Sequence, residues 1–196
     1  MLGLNLPPYG VGAAIVIALY ALQSELRFGA RARAMTAGTS DRGSSLTLSV
    51  AQLVPLFGFA LAIKGRLPTQ LVLPGMPVTA WLGVCVGAAG LALRLWAVLT
   101  LRERYTRTLQ TYEQHGIETS GPYRFVRHPG YLGSLLSLNG VALASGNPFV
   151  LLSSLLATAL AYVYRIRTED QMLVDTLGES YERYRRTVSA LIPFVW

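Results

Sequence analysis

The sequence has too little charge and too little cysteine for an ordinary soluble or secreted domain. Only 14% of its 196 residues are charged and 52% are apolar, whereas soluble domains carry about 25% charged residues. The single cysteine, Cys85, excludes an internal disulfide and a cysteine-cluster metal site. With two histidines besides, the sequence offers no constellation for a catalytic metal. These absences argue against a soluble domain, a disordered chain or a disulfide scaffold, and they favour a membrane protein.

Charge is missing from four long stretches, and these predict membrane-spanning helices. Crossing a bilayer takes about 20 apolar residues, and three of the stretches accommodate one span each, at about 9–26, 45–63 and 77–100. The fourth is interrupted by Gly146-Asn147-Pro148, which predicts a tight turn. The turn leaves two short helices, 130–145 and 148–164. We expect them to form a helical hairpin across a thinned bilayer or partly within protein.

The basic residues are unevenly distributed, and their distribution predicts the orientation of the chain. Of the 17 Lys and Arg residues, 14 lie in the segments 25–44, 101–128 and the tail after 164. Five spans would place all 14 on one side. We therefore expect an all-α integral membrane protein of about five transmembrane helices, with the N-terminus outside and the C-terminal side cytoplasmic. Because the positive charge marks orientation, we expect no nucleic-acid partner.

The tail after the last span has the pattern of an amphipathic helix at the membrane surface. Its apolar and aromatic positions recur at helical spacing with charges between them: Leu173, Leu177, Tyr181, Tyr184 and Val188. Gly178 interrupts the pattern, which allows a bend or two short helices. The chain thus divides into three N-terminal spans in 1–100 and a part, 101–196, that contains a juxtamembrane loop, the hairpin 130–165 and this C-terminal helix.

Polar side chains are concentrated in two motifs that flank the hairpin. One is the GPYRFVRHPGY segment from Gly121 to Tyr131, and the other is the RIRTED segment from Arg165 to Asp170. Because a hairpin returns the chain to the face it left, we expect both motifs to lie side by side on the cytoplasmic face. Each motif alone also fits an ordinary membrane-boundary segment with interfacial tyrosines and snorkelling arginines.

Together, in this order and spacing, the motifs closely resemble the isoprenylcysteine carboxyl methyltransferase family. The resemblance covers about 90–196 and rests on Gly-Pro-Tyr-Arg-x-x-Arg-His-Pro-x-Tyr-x-Gly, Asn147-Pro148, Arg165-x-x-x-Glu169-Asp170, Leu177-Gly178-x-x-Tyr181-x-x-Tyr184 and Ile192-Pro193. The family pattern usually has two glutamates where this chain has Glu169 and Asp170. The aspartate keeps the charge but has a shorter reach.

The resemblance implies an integral membrane enzyme that uses S-adenosylmethionine. This cofactor carries a carboxylate, an ammonium group and a sulfonium, so it needs both signs of charge and an aromatic wall. His128 or Arg127 could hold the carboxylate, Glu169 or Asp170 the ammonium group, and two tyrosines the adenine. The candidate cofactor-binding residues are Tyr123, Arg127, His128, Pro129, Tyr131, Glu169 and Asp170, and the candidate catalytic residues are Arg165 and Glu169.

The methyl acceptor depends on the lipid cavity, which the motifs do not describe. A carboxylate acceptor is ionised and needs no base, so Arg165 would position it; a phenol, enol or amine would need Glu169 or His128 as base. We expect the carboxylate of an isoprenylated cysteine, or a similar lipidic carboxylate, that enters from the bilayer among membrane lipids. The alternatives are a phospholipid N-methyltransferase, a phenolic-lipid O-methyltransferase and, more distantly, a membrane transporter or non-catalytic partner subunit.

Three further features of the third span carry expectations. Arg94 lies within the span, where it could pair with Glu103, face the cofactor cavity or snorkel to the surface. Gly83 and Gly87 form a small-xxx-small pair that suits tight helix packing; we expect this packing within the chain, with a dimer contact as the alternative. Cys85 is expected to be a small buried apolar residue.

Overall fold

The structure, a computed structural model, is helical throughout most of the residues that it describes. These are Val11, Gly12, Ala14, Ile15 and Ala18, together with 42–67, 72–75, 78–101 and 117–192. The predicted span 9–26 lies outside the described residues except for the five single ones, all of which are helical.

Besides the single helical residues between 11 and 18, the described part of the chain contains five α-helices and one 3₁₀ turn. They are α1 (Ser44–Ile63), α2 (Val78–Leu101), the 3₁₀ turn (Gly121–Arg124), α3 (Pro129–Ala144), α4 (Pro148–Leu177) and α5 (Glu179–Thr187). Of these, α1, α2 and α4 are long and apolar enough to cross a membrane. The helical fold is confirmed, and α1 and α2 begin and end within one residue of the predicted spans.

The hairpin of α3 and α4 is confirmed, and its local sequence explains it. Both helices begin with a proline, Pro129 and Pro148, at a position where the missing N–H costs nothing. The Asn147 side chain caps α4 by accepting hydrogen bonds from the backbone N of Phe149 at 2.9 Å and of Val150 at 3.2 Å. Gly146, with φ 69°, adopts the left-handed conformation that closes the turn.

The second helix of the hairpin is longer than the sequence predicted. We expected a helix over 148–164 and a separate amphipathic helix after it, but α4 continues without a break to Leu177. No glycine or proline occurs between 149 and 177, and Gly178, with φ 58°, then ends the helix. The RIRTED motif therefore lies on the rigid continuation of a membrane-spanning helix.

The aromatic face of α5 packs against protein. Tyr181 and Tyr184 are buried, and their hydroxyls donate to the Asp170 carboxylate and to the carbonyl oxygen of Tyr123. The backbone N of His128 also donates to the carbonyl oxygen of Ala190 at 3.0 Å. The two tyrosines thus join α5 to α4 and to the 3₁₀ turn, and the location of this helix at the membrane surface stays a prediction.

Glycines bring α2 and α3 into direct backbone contact. A Cβ atom added at Gly90 would lie 2.5 Å from the backbone N of Ser137, and one added at Gly140 would lie 2.4 Å from the backbone N of Gly87. Tight packing within the chain is thus confirmed. We call this region the glycine contact; it comprises Gly83, Gly87, Gly90, Gly133, Ser137, Gly140 and Ala144. The prediction of a buried Cys85 is wrong, since Cys85 is exposed on the outer side of α2.

Candidate functional site

The two polar motifs meet at one end of the helix bundle, as the hairpin topology predicts. Arg127 Nη2 donates to Asp170 Oδ2 at 2.9 Å, across 43 positions of sequence. His128 Nε2 lies 2.9 Å from Asp170 Oδ1. We call this site the carboxylate cluster; it comprises Arg127, His128, Tyr131, Arg165, Glu169, Asp170 and Tyr181.

The start of α3 places an imidazole and a phenol side by side. His128 is the residue before the helix and Pro129 its first residue, so the backbone there is stiff. One turn later, the Tyr131 ring stacks on the His128 ring, with centroids 5.5 Å apart and an interplanar angle of 14°. Pro129 itself is fully buried.

Asp170 accepts hydrogen bonds from three side chains of the protein. Besides Arg127 and His128, the Tyr181 hydroxyl donates to it at 2.5 Å. Burial by itself would raise the pKa of Asp170, but the hydrogen bond and charge of His128, together with Tyr181 and Arg127, outweigh it, and the pKa lies well below its ordinary value. Burial and the neighbouring Asp170 charge raise the pKa of Tyr181. At neutral pH, therefore, Asp170 is an anion and Tyr181 a hydrogen-bond donor.

Glu169 is the more accessible carboxylate of the cluster. The Tyr131 hydroxyl donates to its Oε2 at 2.5 Å, and His128 Nδ1 lies 3.9 Å from the same oxygen. The Glu169 side chain is 23% exposed and that of Asp170 is 12% exposed. Adjacent positions on one helix thus hold one carboxylate that is largely covered by protein and one that is partly exposed.

Arg165 is almost completely buried at the membrane side of the cluster. Its Nε donates to the Tyr131 hydroxyl at 2.9 Å, and its Nη1 donates to the hydroxyls of Ser44 and Ser45, both at 2.8 Å. The two serines begin α1, and sequence reasoning missed them. The one available signal was topological, since the start of this span is predicted on the same face as the two motifs.

Two of the predicted cofactor residues mainly contact protein. The Tyr123 hydroxyl donates to the carbonyl oxygen of Ala97 at 3.4 Å, on the α2 side of the motif, so its role at an adenine stays a prediction. Arg127 Nη1 donates to the carbonyl oxygens of Arg185, at 3.0 Å, and of Val188. Arg127 therefore ties the end of α5 to the cluster.

Arg94 fastens α2 to the beginning of α3. Its Nη1 donates to the carbonyl oxygen of Gly130 at 3.1 Å and to the Ser134 hydroxyl. Because its side chain is buried, it does not snorkel to the surface. The suggested pairing with Glu103 concerns a residue outside those described.

The composition of the cluster suits a small zwitterionic ligand with an aromatic group. It contains one hydrogen-bonded arginine–carboxylate pair, Arg127 with Asp170, and a stacked His128–Tyr131 pair beside the accessible Glu169. The site lies where apolar helices end, so a ligand there can contact both an aqueous and an apolar phase.

Comparison with known proteins identifies relatives of the chain. Residues 81–175 match the model of the isoprenylcysteine carboxyl methyltransferase (ICMT) family. A protein-S-isoprenylcysteine O-methyltransferase of Tribolium castaneum is 32% identical over 127 residues, which are 62% of this chain and 45% of that protein. Protein-S-isoprenylcysteine O-methyltransferase A of Arabidopsis thaliana is 28% identical over 164 residues, which are 80% of this chain and 83% of that protein.

A further relative is named for metal resistance instead of methyl transfer. The cobalt-zinc-cadmium resistance protein CzcN of Cupriavidus metallidurans is 38% identical over 106 residues, which are 54% of this chain and 44% of that protein. The chain thus spans less than half the length of the Tribolium and Cupriavidus proteins and most of the Arabidopsis protein.

The fold also matches a solved structure. The eukaryotic intramembrane Ras methyltransferase ICMT aligns with a TM-score of 0.65 at 20% identity, over 99% of this chain and 72% of that one. At this identity the match supports the fold. Together with the family model and the sequence relatives, it confirms the resemblance that the motifs predict.

Proposed function

We propose that this chain, which matches the isoprenylcysteine carboxyl methyltransferase family model over residues 81–175, is a member of that family and transfers a methyl group from S-adenosylmethionine to a lipophilic carboxylate. The acceptor that we propose is the carboxylate of an isoprenylated cysteine or a similar lipidic acid. The observation that carries the proposal is the hydrogen-bonded line from Arg165 through Tyr131 to Glu169. It joins a buried cation and an accessible anion within one site.

The order of the residues, from Arg165 near the apolar span to Glu169 near α5, matches the two substrates, a lipid acceptor and a polar methyl donor. Arg165 and Glu169 are four residues apart on α4, which corresponds to about 6 Å along a helix axis. Arg165 lies on the side of the apolar span and Glu169 on the side of α5. We propose that the lipid acceptor enters from the bilayer toward Arg165 and that the methyl donor enters from the cytoplasm toward Glu169.

The residues of the cluster fit the proposed methyl donor. Glu169 supplies partly exposed negative charge, and Arg127 and His128 hold the neighbouring Asp170 in place. The stacked rings of His128 and Tyr131 supply an aromatic surface. The donor brings a methyl group already activated on a sulfonium. The protein therefore has to align the acceptor and exclude water, and the buried position of Arg165 suits both tasks.

A carboxylate acceptor agrees best with the environment of Arg165. A guanidinium away from bulk water forms strong charge-assisted hydrogen bonds to a carboxylate. The Nε and Nη1 groups of Arg165 already donate to Tyr131, Ser44 and Ser45, so the acceptor would replace some of these contacts. A carboxylate is ionised at neutral pH and needs no general base, whereas a phenol or an amine acceptor does. The available base, Glu169, is already hydrogen-bonded to Tyr131. Phospholipid and phenolic-lipid acceptors remain the alternatives to be tested.

The membrane arrangement that we propose has five spans, an external N-terminus and a cytoplasmic cluster. Its support is the concentration of basic residues before α1, after α2 and after the apolar part of α4, which follows the usual charge bias of cytoplasmic segments. The backbone N of Leu73 donates to the carbonyl oxygen of Gly146 at 2.7 Å. The loop between α1 and α2 therefore lies at the end opposite to the cluster, as this arrangement requires.

The acceptor is tested by transfer of a labelled methyl group from S-adenosylmethionine in lipid-containing detergent. Prenylcysteines, fatty acids, phospholipids and phenolic lipids are offered in parallel. We expect label in the prenylcysteine, released as methanol by mild base because the product is an ester. Label confined to phospholipid amines or to phenols would replace the proposed acceptor, and calorimetry without S-adenosylmethionine binding would contradict the proposed function.

Substitution of Arg165 tests the residue assigned to the acceptor. Arg165→Lys keeps the charge and loses the planar guanidinium with its several N–H donors. We expect at least a tenfold loss of kcat/KM for the acceptor, which corresponds to a loss of about 1.4 kcal/mol or more in transition-state stabilisation. Affinity for S-adenosylmethionine should change little, which also shows that the variant is folded. Arg167→Ala, at an exposed position of the same helix, is the control. Equal activity of Arg165→Lys and wild type would remove Arg165 from the site.

A further inference from the structure

We infer that two adjacent serines at the start of α1 have different tasks toward Arg165. Ser44 is a positioning residue that keeps the guanidinium in place throughout, and Ser45 is the contact that the carboxylate of the acceptor displaces. The inference rests on the proposed function. It gives α1, which lies outside both polar motifs, a part in the recognition of the acceptor.

Arg165 is held by side chains from two other helices. Its Nε donates to the Tyr131 hydroxyl on α3 at 2.9 Å, and its Nη1 donates to the Ser44 and Ser45 hydroxyls on α1, both at 2.8 Å. An arginine side chain has many rotamers, and ordering it costs conformational entropy. Because contacts within the protein already order Arg165, the acceptor does not have to supply that free energy.

The two serine contacts differ in burial. Ser44 is completely buried and Arg165 is 1% exposed, so the contact between them is closed to solvent and to lipid. Ser45 is half-buried, and the residue after it, Leu46, is 70% exposed on the apolar outer face of α1. A lipid acceptor that approaches along this face therefore reaches the Ser45 contact first, whereas the Ser44 contact lies deeper in the protein.

The turn before α1 keeps Ser44 in its buried position. Arg42 and Gly43 both have positive φ angles, 47° and 74°, and the left-handed conformation is unfavourable for a residue with a long side chain such as Arg42. The hydroxyl of Tyr164, the residue before Arg165 on α4, donates to the carbonyl oxygen of Arg42 at 2.7 Å. Adjacent residues of α4 thus hold both the turn and the serines that follow it.

Displacement of Ser45 costs less than displacement of Ser44. Nη1 of a guanidinium carries two N–H groups, and the two serines engage both, so a carboxylate that binds this nitrogen must replace one serine. A charge-assisted bond to a carboxylate is stronger than a bond to a neutral hydroxyl. The half-buried Ser45 hydroxyl can exchange Arg165 for water, whereas Ser44 would lose a hydrogen bond in a fully buried position, which is costly.

The test is methyl transfer to a prenylcysteine, with kcat and KM for the acceptor measured separately. We expect Ser44→Ala to lower kcat/KM for the acceptor about tenfold, the effect of one charge-assisted contact. Ser45→Ala should instead lower the KM for the acceptor, because the carboxylate no longer displaces a protein contact. Ser49→Ala is the matched control, since the Ser49 hydroxyl lies one turn after Ser45 and donates to the carbonyl oxygen of Ser45 at 2.8 Å.

Affinity for S-adenosylmethionine, measured by calorimetry, shows whether each variant is folded. We expect the wild-type affinity in both serine variants, because their contacts concern the acceptor side of the site. If Ser44→Ala does not bind S-adenosylmethionine, Ser44→Cys replaces it, because a thiol has a similar volume and is a weaker hydrogen-bond acceptor.

A double-mutant cycle separates a positioning role of Ser44 from a structural one. In the Arg165→Lys background, Ser44→Ala should cause little further loss of kcat/KM, because the planar guanidinium that Ser44 positions is absent. If Ser44 only stabilises the start of α1, its replacement causes the same fold-loss in both backgrounds.

Three results would overturn the inference while the wild type still methylates the acceptor and the proposed function stands. They are wild-type kinetics in Ser44→Ala, a KM for the acceptor that does not fall in Ser45→Ala, and equal losses from Ser44→Ala in the two backgrounds of the cycle. If the wild type binds S-adenosylmethionine but methylates no carboxylate, the proposed acceptor fails, and the assignment of the two serines to acceptor recognition fails with it.

Discussion

The glycine contact and the carboxylate cluster both hold helices together, but they do so by different forces. In the glycine contact, backbone meets backbone, and the added polar link is the hydrogen bond from the Ser137 hydroxyl to the carbonyl oxygen of Gly87 at 3.1 Å. In the cluster, charged and phenolic side chains link α3, α4 and α5. Both regions involve α3, which connects them within 16 residues.

The difference between the two regions reflects the surroundings of each. Inside a bilayer, apolar side chains gain little by leaving lipid for protein, so close backbone packing of small residues carries much of the association. At the membrane boundary, charged groups are partly desolvated but still paired, and directional hydrogen bonds fix their geometry. Added side-chain volume is therefore expected to destabilise the glycine contact, and loss of a hydrogen-bond donor or acceptor is expected to destabilise the carboxylate cluster.

The largest effect is expected from added volume in the glycine contact. Gly90→Val places a Cβ 2.5 Å from the backbone N of Ser137 and 2.6 Å from the carbonyl oxygen of Gly133, and backbone cannot move aside as a side chain can. We expect the free energy of unfolding to fall by about 3 kcal/mol or more. The readouts are the fraction of monodisperse protein and its Tm. Ala89→Val, on the exposed side of α2, should have little effect; equal behaviour of the two variants would contradict backbone contact.

An intermediate, pH-dependent effect is expected from Asp170→Asn. Because its pKa is lowered in the folded protein, Asp170 stabilises the fold above the ordinary aspartate pKa of about 3.9. This contribution is lost as the pH falls further, toward the pKa of the folded state. At neutral pH, we expect the free energy of unfolding of the wild type to exceed that of Asp170→Asn by about 1.5–3 kcal/mol. The two Tm values should converge below about pH 4; a pH-independent difference would show that the charge of Asp170 is not what stabilises the cluster.

The smallest effect is expected at the surface of α5. Arg186 and Glu182 are 3.6 Å apart in an i,i+4 pair whose side chains are 81% and 46% exposed, and such pairs contribute about 0.3–0.5 kcal/mol. Glu182→Gln should therefore shift the Tm by no more than a degree or two and leave ligand binding unchanged. A larger loss would mean that the exposed face of α5 contributes to the cluster as its buried tyrosines do.

Much of the fold was predictable because its signals are local. Uncharged runs marked α1 and α2, and Gly146-Asn147-Pro148 marked the hairpin turn. The end of α4 was not predicted, because the change from apolar to charged residues near 164 was taken as the end of a helix. Helix geometry continues across such a change when no breaker intervenes, and Gly178 was the actual signal.

The main residues of the site were predictable from the sequence, but the side chains that contact them from other helices were not. Proximity of Arg127, His128 and Asp170 followed from the hairpin, and the contacts confirm it. Ser44 and Arg165, in contrast, are 121 residues apart, and no spacing rule connects a serine at one helix start with an arginine on another helix. The burial of Tyr181 against Asp170 was hidden for the same reason, since its spacing fits a membrane-facing helix equally well.

The sequence by itself determined that the chain is helical, membrane-spanning and similar to a methyltransferase family, because charge gaps, breakers and motif spacing are properties of neighbouring residues. Only the tertiary structure decided how Glu169 and Asp170 differ. The two carboxylates are adjacent and chemically similar, so no local signal separates them. Their difference comes from which side chains of α3 and α5 pack against each one, and that depends on how the helices are assembled.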